Sequence, residues 1–167
     1  MTDNPLLTEL KTRARIRLNA ARRDDDATDL RLRDVLVAVS REAGFMDWDH
    51  ARKVLGGGAV EGDDMGTFWH APRCTMLFNE WFGAYTPARE TQGAKPGSFL
   101  LPYGRQYVVA QDEFIRELGL DPADPSWAQV RRDLVRGYGR PDWLALACLR
   151  LRAPPETFAK LQSRHRR

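Results

Sequence analysis

The first third of the chain repeats apolar residues at the spacing of α-helices. Residues 5–22 carry an imperfect apolar stripe opposite a strongly basic side, which predicts a first helix. A second helix is predicted up to about Ala43, because apolar residues recur at helical spacing. Gly44 can adopt the left-handed conformation that ends a helix. A short third helix is predicted to begin after Asp47, which can act as its N-cap, and to end at glycines 56–58. The pattern predicts a three-helix module.

The pattern changes after a polar, glycine-containing stretch at residues 59–66. Residues 67–70 predict a short strand, and Pro72 is suited to the first position of a helix. Apolar residues from Cys74 to Tyr85 then follow steps of three and one. This spacing predicts a helix with one wide apolar face.

Two strands followed by several helices are predicted over the rest of the chain. β-branched residues around a proline and glycine turn predict two strands, residues 98–101 and 106–110. Three helical segments are predicted next: one after Asp112, residues 127–136 and residues 143–151. Two prolines then predict a break, and Phe158 with Leu161 anchor a last helical piece.

These elements together predict an α+β fold that is predominantly helical. We expect a helical module over residues 1–58, a flexible linker over residues 59–66, and an α+β unit with a basic C-terminal tail over residues 67–167. In the last unit, helices are expected to surround a small antiparallel sheet.

One segment of the N-terminal module, VAVSREAGFMDWDHARKVL, contains the pattern small-Arg-x-x-Gly-Phe-x-x-Trp around Gly44, Phe45 and Trp48. It resembles a short helical module of uncharacterised bacterial proteins, which sometimes lies beside domains related to glyoxalases. This resemblance covers about residues 5–56, and the remainder resembles an uncharacterised bacterial family. Neither resemblance implies an established activity, a cofactor or a catalytic residue. Residues 60–167 lack the repeated strand-rich pattern of glyoxalases.

Charge and composition narrow the classes of function. The sequence pI is about 9.1, yet the formal net charge is only +3. Four of the 26 basic residues are lysine and the rest are arginine, a bias typical of GC-rich coding. The N-terminus lacks the apolar core of a signal peptide, and no window reaches the roughly 18 apolar residues of a membrane span. We therefore expect a cytoplasmic protein that does not associate with membranes.

The familiar catalytic and metal-binding motifs are missing from the sequence. The two cysteines are far apart and form no CxxC pair, and only three histidines are present. The glycines 56–58 follow a helix and precede a polar stretch, so they form neither a phosphate-binding loop nor a dinucleotide fingerprint. We predict no metal, no cofactor and no catalytic residue, and we favour a protein that is not an enzyme.

The stretch TFWHAPRC raises the question of a His-Cys site. Because Pro72 is predicted to begin a helix, His70 and Cys74 belong to different elements and do not share one helix face. Cys74 is interpreted as a buried structural residue. His70 and Arg73 at this junction are a candidate anion site, and the alternative is a histidine that is hydrogen-bonded inside the core.

Two further residues are candidates for binding a ligand. Tyr103 and Arg105 flank Gly104 in the predicted hairpin turn, and turns often carry function because they lie at the surface. The alternative is that this turn serves only the hairpin geometry. With His70 and Arg73, they define a predicted small-ligand pocket.

The basic side of the first helix suggests a different function. Arg13, Arg15 and Arg17, together with the tail residues 164–167, are suited to contact nucleic-acid phosphates. The alternative is a solvated face and a solubilising tail. We therefore expect a binding or interaction module whose partner is a protein or a nucleic acid. A small-ligand-binding protein or enzyme with an anion pocket near His70 and Arg73 is the alternative. The sequence leaves the partner and the oligomeric state open.

Overall fold

A computed structural model describes residues 3–24 and 29–153 of the protein. It confirms the predicted class, an α+β fold that is predominantly helical. In chain order, its elements are α1 (Pro5–Arg23), α2 (Leu32–Glu42), α3 (Trp48–Leu55), a 3₁₀ helix (Pro72–Met76), β1 (Asn79–Phe82), α4 (Tyr85–Ala94), β2 (Phe99–Tyr103), β3 (Gln106–Ala110), α5 (Asp112–Glu117), α6 (Pro125–Gln129) and α7 (Pro141–Arg152). Within these residues, no helix is both long and apolar enough to cross a bilayer.

The three predicted N-terminal helices are confirmed, and side chains cap two of them. Asn4 accepts hydrogen bonds from the backbone N–H groups of Leu6 and Leu7 at the start of α1. Its amide nitrogen also donates to the Leu55 carbonyl at 2.9 Å, which ties α1 to the end of α3. Asp47 caps α3 as predicted, because its carboxylate accepts from His50 N at 2.8 Å.

The strands form one antiparallel sheet in the order β1-β3-β2. The predicted hairpin is present as β2 and β3, in which Leu101 lies opposite Val108. Trp81 of β1 lies opposite the same valine on the other side of β3. Because side chains alternate along strands, Tyr103 and Tyr107 lie on opposite faces of the sheet. The face bearing Tyr107 carries a small cluster packed on α4, and the other face packs on the main core.

The predicted helix from Cys74 to Tyr85 is wrong. A short 3₁₀ helix ends at Met76, and the amide of Asn79 donates to the carbonyls of Cys74 and Leu77 at 3.0 and 2.9 Å. The Asn79 side chain thus binds carbonyl groups at the end of the 3₁₀ helix, and the chain continues as strand β1. Two residues of the predicted apolar face are exposed instead, Phe78 at 73% and Trp81 at 42%, whereas Cys74 is buried.

The predicted strand at residues 67–70 is also wrong, because these residues belong to a turn. Thr67 N donates to the Gly44 carbonyl at 2.8 Å, and His70 N donates back to the Thr67 carbonyl at 3.1 Å. The junction of a strand and a helix that suggested an anion site is therefore a turn followed by a 3₁₀ helix.

The predicted helix over residues 127–136 is shorter than expected. α6 ends at Gln129, since Arg131 and Arg132 have φ values of 54° and 55°, which an α-helix does not allow. The Arg132 carbonyl accepts hydrogen bonds from Gln92 Nε2 at 2.7 Å and from Leu100 N at 2.8 Å. These bonds hold the turn against β2. The predicted C-terminal piece with Phe158 and Leu161 lies outside the described residues.

The main hydrophobic core joins both sides of the predicted linker. Buried residues of α1, α2 and α3 belong to the same cluster as those of the sheet and of α7. The Tyr138 hydroxyl accepts from Ala59 N at 3.1 Å and donates to the Val54 carbonyl at 2.5 Å. Arg13 Nη2 donates to the Leu151 carbonyl at 2.8 Å. The domain division at residues 59–66 stays a prediction, whereas packing and hydrogen bonds connect the segments on either side.

Candidate functional site

A cleft of about 370 Å³ lies between the loop of residues 59–65, the β2–β3 hairpin and residues 135–138. This volume is within the range of small-molecule sites, roughly 300–1,000 Å³. Three of the four tyrosines of the chain line the cleft: Tyr85, Tyr107 and Tyr138. Apolar side chains, including Val60, Met65 and Val135, complete the walls.

The three tyrosines line the cleft, and two of their hydroxyls have hydrogen-bond partners. Tyr85 Oη donates to Asp133 Oδ2 at 2.6 Å. The Tyr138 hydroxyl binds the backbone of Ala59 and Val54, as described above. The ring of Tyr107 makes an edge contact with that of Tyr85, with centroids 5.9 Å apart. The cleft therefore offers aromatic surface in a fixed arrangement.

Asp133 lies beneath the cleft and is fully buried. Besides the Tyr85 hydroxyl, its carboxylate accepts from the backbone N–H groups of Val135 and Arg136, both at 2.9 Å. Arg89 Nε lies 3.8 Å from Asp133 Oδ2. Burial, followed by the hydrogen bond to Asp133, raises the pKa of Tyr85 to about 12. The network fixes both the Tyr85 ring and the chain at Val135.

Charged side chains of both signs form the rim. Arg105 donates to the Gly62 carbonyl at 3.3 Å, which links the hairpin turn to the loop of residues 59–65. Asp63 in that loop accepts from Lys53 Nζ and from Val60 N at 2.8 and 2.9 Å. The bond from Lys53, then that from Val60, lowers the pKa of Asp63. The loop is thus held in position by its own polar contacts.

The structure brings together two of the four predicted ligand-binding residues. The His70 ring lies against Tyr103, with centroids 5.0 Å apart, and it also contacts Trp81 and Phe114. Arg73 Nε lies 3.8 Å from Glu117 Oε2, and Arg105 lines the tyrosine cleft. Of the four predicted residues, the lining of that cleft includes Arg105 but not His70, Arg73 or Tyr103.

His70 is half-buried among aromatic rings, and the predicted alternative of a hydrogen-bonded core histidine is not supported for its Nε2. Its Nε2 is buried and has no hydrogen-bond partner among the described residues. Burial, and then the charge of Arg150, lowers the pKa of His70, which favours the neutral ring. A neutral imidazole offers less to an anion than a charged one. The anion site at His70 and Arg73 stays a prediction that these surroundings do not favour.

The predicted burial of Cys74 is confirmed. Its side chain is fully buried, and Sγ lies 3.9 Å from the Phe114 carbonyl. Burial raises its pKa to about 11, so the thiol is protonated at neutral pH. In the part of the chain that the structure describes, no group of three or more His, Cys, Asp or Glu side chains is placed to hold a metal ion.

The three predicted nucleic-acid-binding arginines have different surroundings. Arg13 Nε binds Glu9 at 2.9 Å, in addition to its bond to α7. Arg17 forms a bidentate pair with Glu42 of α2, at 2.6 and 2.8 Å. Arg15 is exposed on α1. The predicted basic tail, residues 164–167, lies outside the described residues.

Sequence reasoning missed Tyr85, Tyr107 and Tyr138 as site residues. Tyr85 ends the predicted apolar helix face, and Tyr138 lies in a glycine-rich turn that carries no binding motif. The alternation along β3 places Tyr107 on the face away from Val108. This is the single local feature of the sequence that separates Tyr107 from the main core. Nothing local shows that the three rings share one cleft.

Comparisons with known proteins do not identify the chain: no protein-family model, curated protein or solved structure matches it. The resemblance of residues 5–56 to a bacterial helical module therefore stays a prediction. The geometry of the protein itself is the basis for assigning a function.

Proposed function

We propose that the protein binds a small organic molecule with a flat aromatic body in the tyrosine cleft. The observation that supports this proposal is the arrangement of three tyrosine rings around a cavity of about 370 Å³. Aromatic rings recognise flat aromatic ligands by stacking and edge contacts, and each such contact is worth about 0.5–1.5 kcal/mol beyond area burial. Binding, rather than a chemical step, is the function that these groups support.

The preformed cleft favours binding with little rearrangement. The Tyr85 and Tyr138 rings are held by hydrogen bonds to Asp133 and Val54. Ligand binding therefore does not have to order these side chains, and preorganisation of this kind increases affinity. Arg105 and Arg136 are exposed at the rim, where they can orient a polar substituent of the ligand.

The test compares 2-naphthol, a flat probe, with decahydro-2-naphthol, which has the same carbon skeleton but is saturated; backbone amide chemical shifts report binding. We expect saturable binding of 2-naphthol, with the largest shifts in residues 59–65 and 104–107. Decahydro-2-naphthol is expected to bind about fivefold more weakly, because it cannot make the aromatic contacts. Equal binding of both probes, or shifts confined to other regions, would contradict the proposal.

Two tyrosines on opposite faces of the sheet provide a matched pair of variants. Tyr107→Leu keeps an apolar side chain but removes an aromatic wall of the cleft, so 2-naphthol should bind about fivefold more weakly. Tyr103→Leu makes the same change beside His70 and should leave the affinity unchanged. A similar loss in both variants would show that the probe does not occupy the cleft.

A nucleic acid is the second candidate partner, and the exposed side of α1 supports it. Lys11, Arg15 and Arg22 are exposed, and their spacing places them on one side of the helix. Arg13 and Arg17 are engaged with Glu9 and Glu42, so we assign the phosphate contacts to the exposed set instead.

Fluorescence anisotropy with a labelled DNA duplex at low salt tests this second candidate. The double variant Arg15→Gln with Arg22→Gln is expected to weaken binding about tenfold and to reduce its salt dependence, because two phosphate contacts are lost. Arg140→Gln removes an exposed arginine at the start of α7 and is the control. Absence of salt-sensitive binding by the unaltered protein would exclude this partner.

A further inference from the structure

A second cavity, of about 520 Å³, lies between α1, α2 and the end of α7. It is separate from the tyrosine cleft and has no lining residue in common with it. Arg13, Arg17 and Arg150 line it together with one carboxylate, Glu42. Glu9 pairs with Arg13 from outside the lining, so the three arginines and two glutamates carry a formal charge of +1.

Part of the lining is apolar. Ile16, Val39, Phe68 and Leu151 contribute to the walls, and Ile16 is 62% exposed although it lies beside buried neighbours. An exposed isoleucine in a concave site loses unfavourable contact with water when an apolar group covers it. The cavity therefore combines a cationic end with apolar walls.

Arg17 already binds a carboxylate. Its two terminal nitrogens donate to the two oxygens of Glu42, and both side chains are about half exposed, at 47% and 59%. The hydrogen bond to Glu42 raises the pKa of Arg17, and the same bond lowers the pKa of Glu42. An exposed ion pair of this kind contributes about 1 kcal/mol or less, so a second carboxylate can displace Glu42 at little cost.

Arg150 adds positive charge that no carboxylate balances. Its guanidinium donates to the carbonyls of Phe68, His70 and Leu118, at 3.0, 3.0 and 3.1 Å. All three partners are neutral, and no carboxylate of the described residues forms an ion pair with it. Burial removes the Arg150 guanidinium from water and lowers its pKa. An anion nearby would offset this uncompensated charge.

We propose that this cavity binds a small organic acid with an apolar chain. The carboxylate takes the place of Glu42 at the Arg17 fork, near Arg13, and the chain lies over Ile16, Val39 and Phe68. A carboxylate fits better than a compact inorganic anion, because the planar guanidinium of Arg17 already holds a carboxylate in bidentate geometry and the walls are apolar.

Octanoate is the probe, and octanamide is the neutral control of the same length. Calorimetry on the full chain should show saturable octanoate binding, with octanamide about threefold weaker because it cannot form the ion pair with Arg17. Hexanoate should bind more weakly than octanoate, by about threefold for each methylene removed. Absence of saturable octanoate binding, or equal binding of octanamide, overturns the proposal.

Three variants on exposed positions locate the site without disturbing the core. Arg17→Gln should weaken octanoate binding about threefold, the effect expected for one exposed ion pair. Arg15→Gln, two residues away on the exposed side of the same helix, should leave it unchanged. Glu42→Gln removes the competing carboxylate and should strengthen binding about threefold. Equal loss in Arg15→Gln and Arg17→Gln, or weaker binding in Glu42→Gln, overturns the proposal.

The second cavity, here called the arginine cavity because Arg13, Arg17 and Arg150 line it, is separate from the tyrosine cleft. Variants of the two cavities show which of them octanoate occupies. Tyr107→Leu should leave octanoate binding unchanged, because Tyr107 lines the other cavity. If Tyr107→Leu weakens octanoate binding as much as Arg17→Gln does, octanoate occupies the tyrosine cleft and the arginine cavity is not its site.

Discussion

Asp133→Ala is expected to lower the free energy of unfolding by about 3–5 kcal/mol, because it removes a buried charge that four groups surround. The Tyr85 hydroxyl and the N–H groups of Val135 and Arg136 lose their acceptor, and Arg89 loses its nearest carboxylate. The first three donors remain close to the resulting space and lack a partner. Urea denaturation followed by tryptophan fluorescence measures the loss.

Two further variants provide comparisons: one removes a single hydrogen bond of the Asp133 network, and the other removes an exposed carboxylate outside it. Tyr85→Phe removes one hydrogen bond and leaves the backbone contacts of Asp133 in place, so we expect a loss of about 1 kcal/mol. Asp49→Ala removes an exposed carboxylate that pairs with Arg52, and its effect should stay within about 0.5 kcal/mol. A loss in Asp133→Ala as small as that in Asp49→Ala would contradict the structural role of the network.

The same network predicts how stability responds to alkaline pH. The pKa of Tyr85 is raised from 10.0 to about 12, so the folded state holds this proton more tightly than the unfolded chain. Its contribution is therefore fully present below pH 10 and is lost as the pH rises to about 12. Tyr85→Phe should show a smaller decrease in stability over this pH range than the unaltered protein.

Gly44→Ala is expected to have the second largest effect, a loss of about 3 kcal/mol. Gly44 has a φ of +98°, where a side chain costs about 1–2 kcal/mol. A Cβ atom there would also lie 2.7 Å from Thr67 Oγ1 and 2.8 Å from Phe68 N. This contact would disrupt the turn that Thr67 N and the Gly44 carbonyl hold together.

Gly57 is the matched control for this substitution. Its φ is +83°, but a Cβ atom would meet nothing within 4 Å. Gly57→Ala should therefore cost about 1 kcal/mol, the cost of the left-handed conformation alone. If the two alanine variants lose equal stability in urea denaturation, the close approach at Gly44 does not contribute.

The helices that the sequence predicted well are those with local signals. In α1, the buried residues Leu6, Leu10, Ala14 and Leu18 recur every four positions, and Asn4 supplies the cap. Asp47 caps α3 for the same local reason, and Gly44 follows α2 at a left-handed φ. Caps and periodicity act within a few residues, so they are readable without the fold.

The segment from Cys74 to Phe82 shows where local reasoning fails. Steps of three and one among aromatic residues fit a helix, yet a strand forms because β3 provides partners for Trp81 and its neighbours. That partner strand lies more than twenty residues along the chain. Hydrogen bonds to a distant strand outweigh a weak helical preference, and the spacing alone contains no information about them.

The sequence by itself determined the fold class, most helices, the β2–β3 hairpin and the burial of Cys74, because helix caps, turns and apolar periodicity are local properties. Only the tertiary structure decided which charged and aromatic residues meet. Arg17 contacts Glu42 because α1 packs on α2. The tyrosine cleft is assembled from four separate segments. Long-range packing creates these neighbours, and for this reason both candidate sites are visible only in the folded chain.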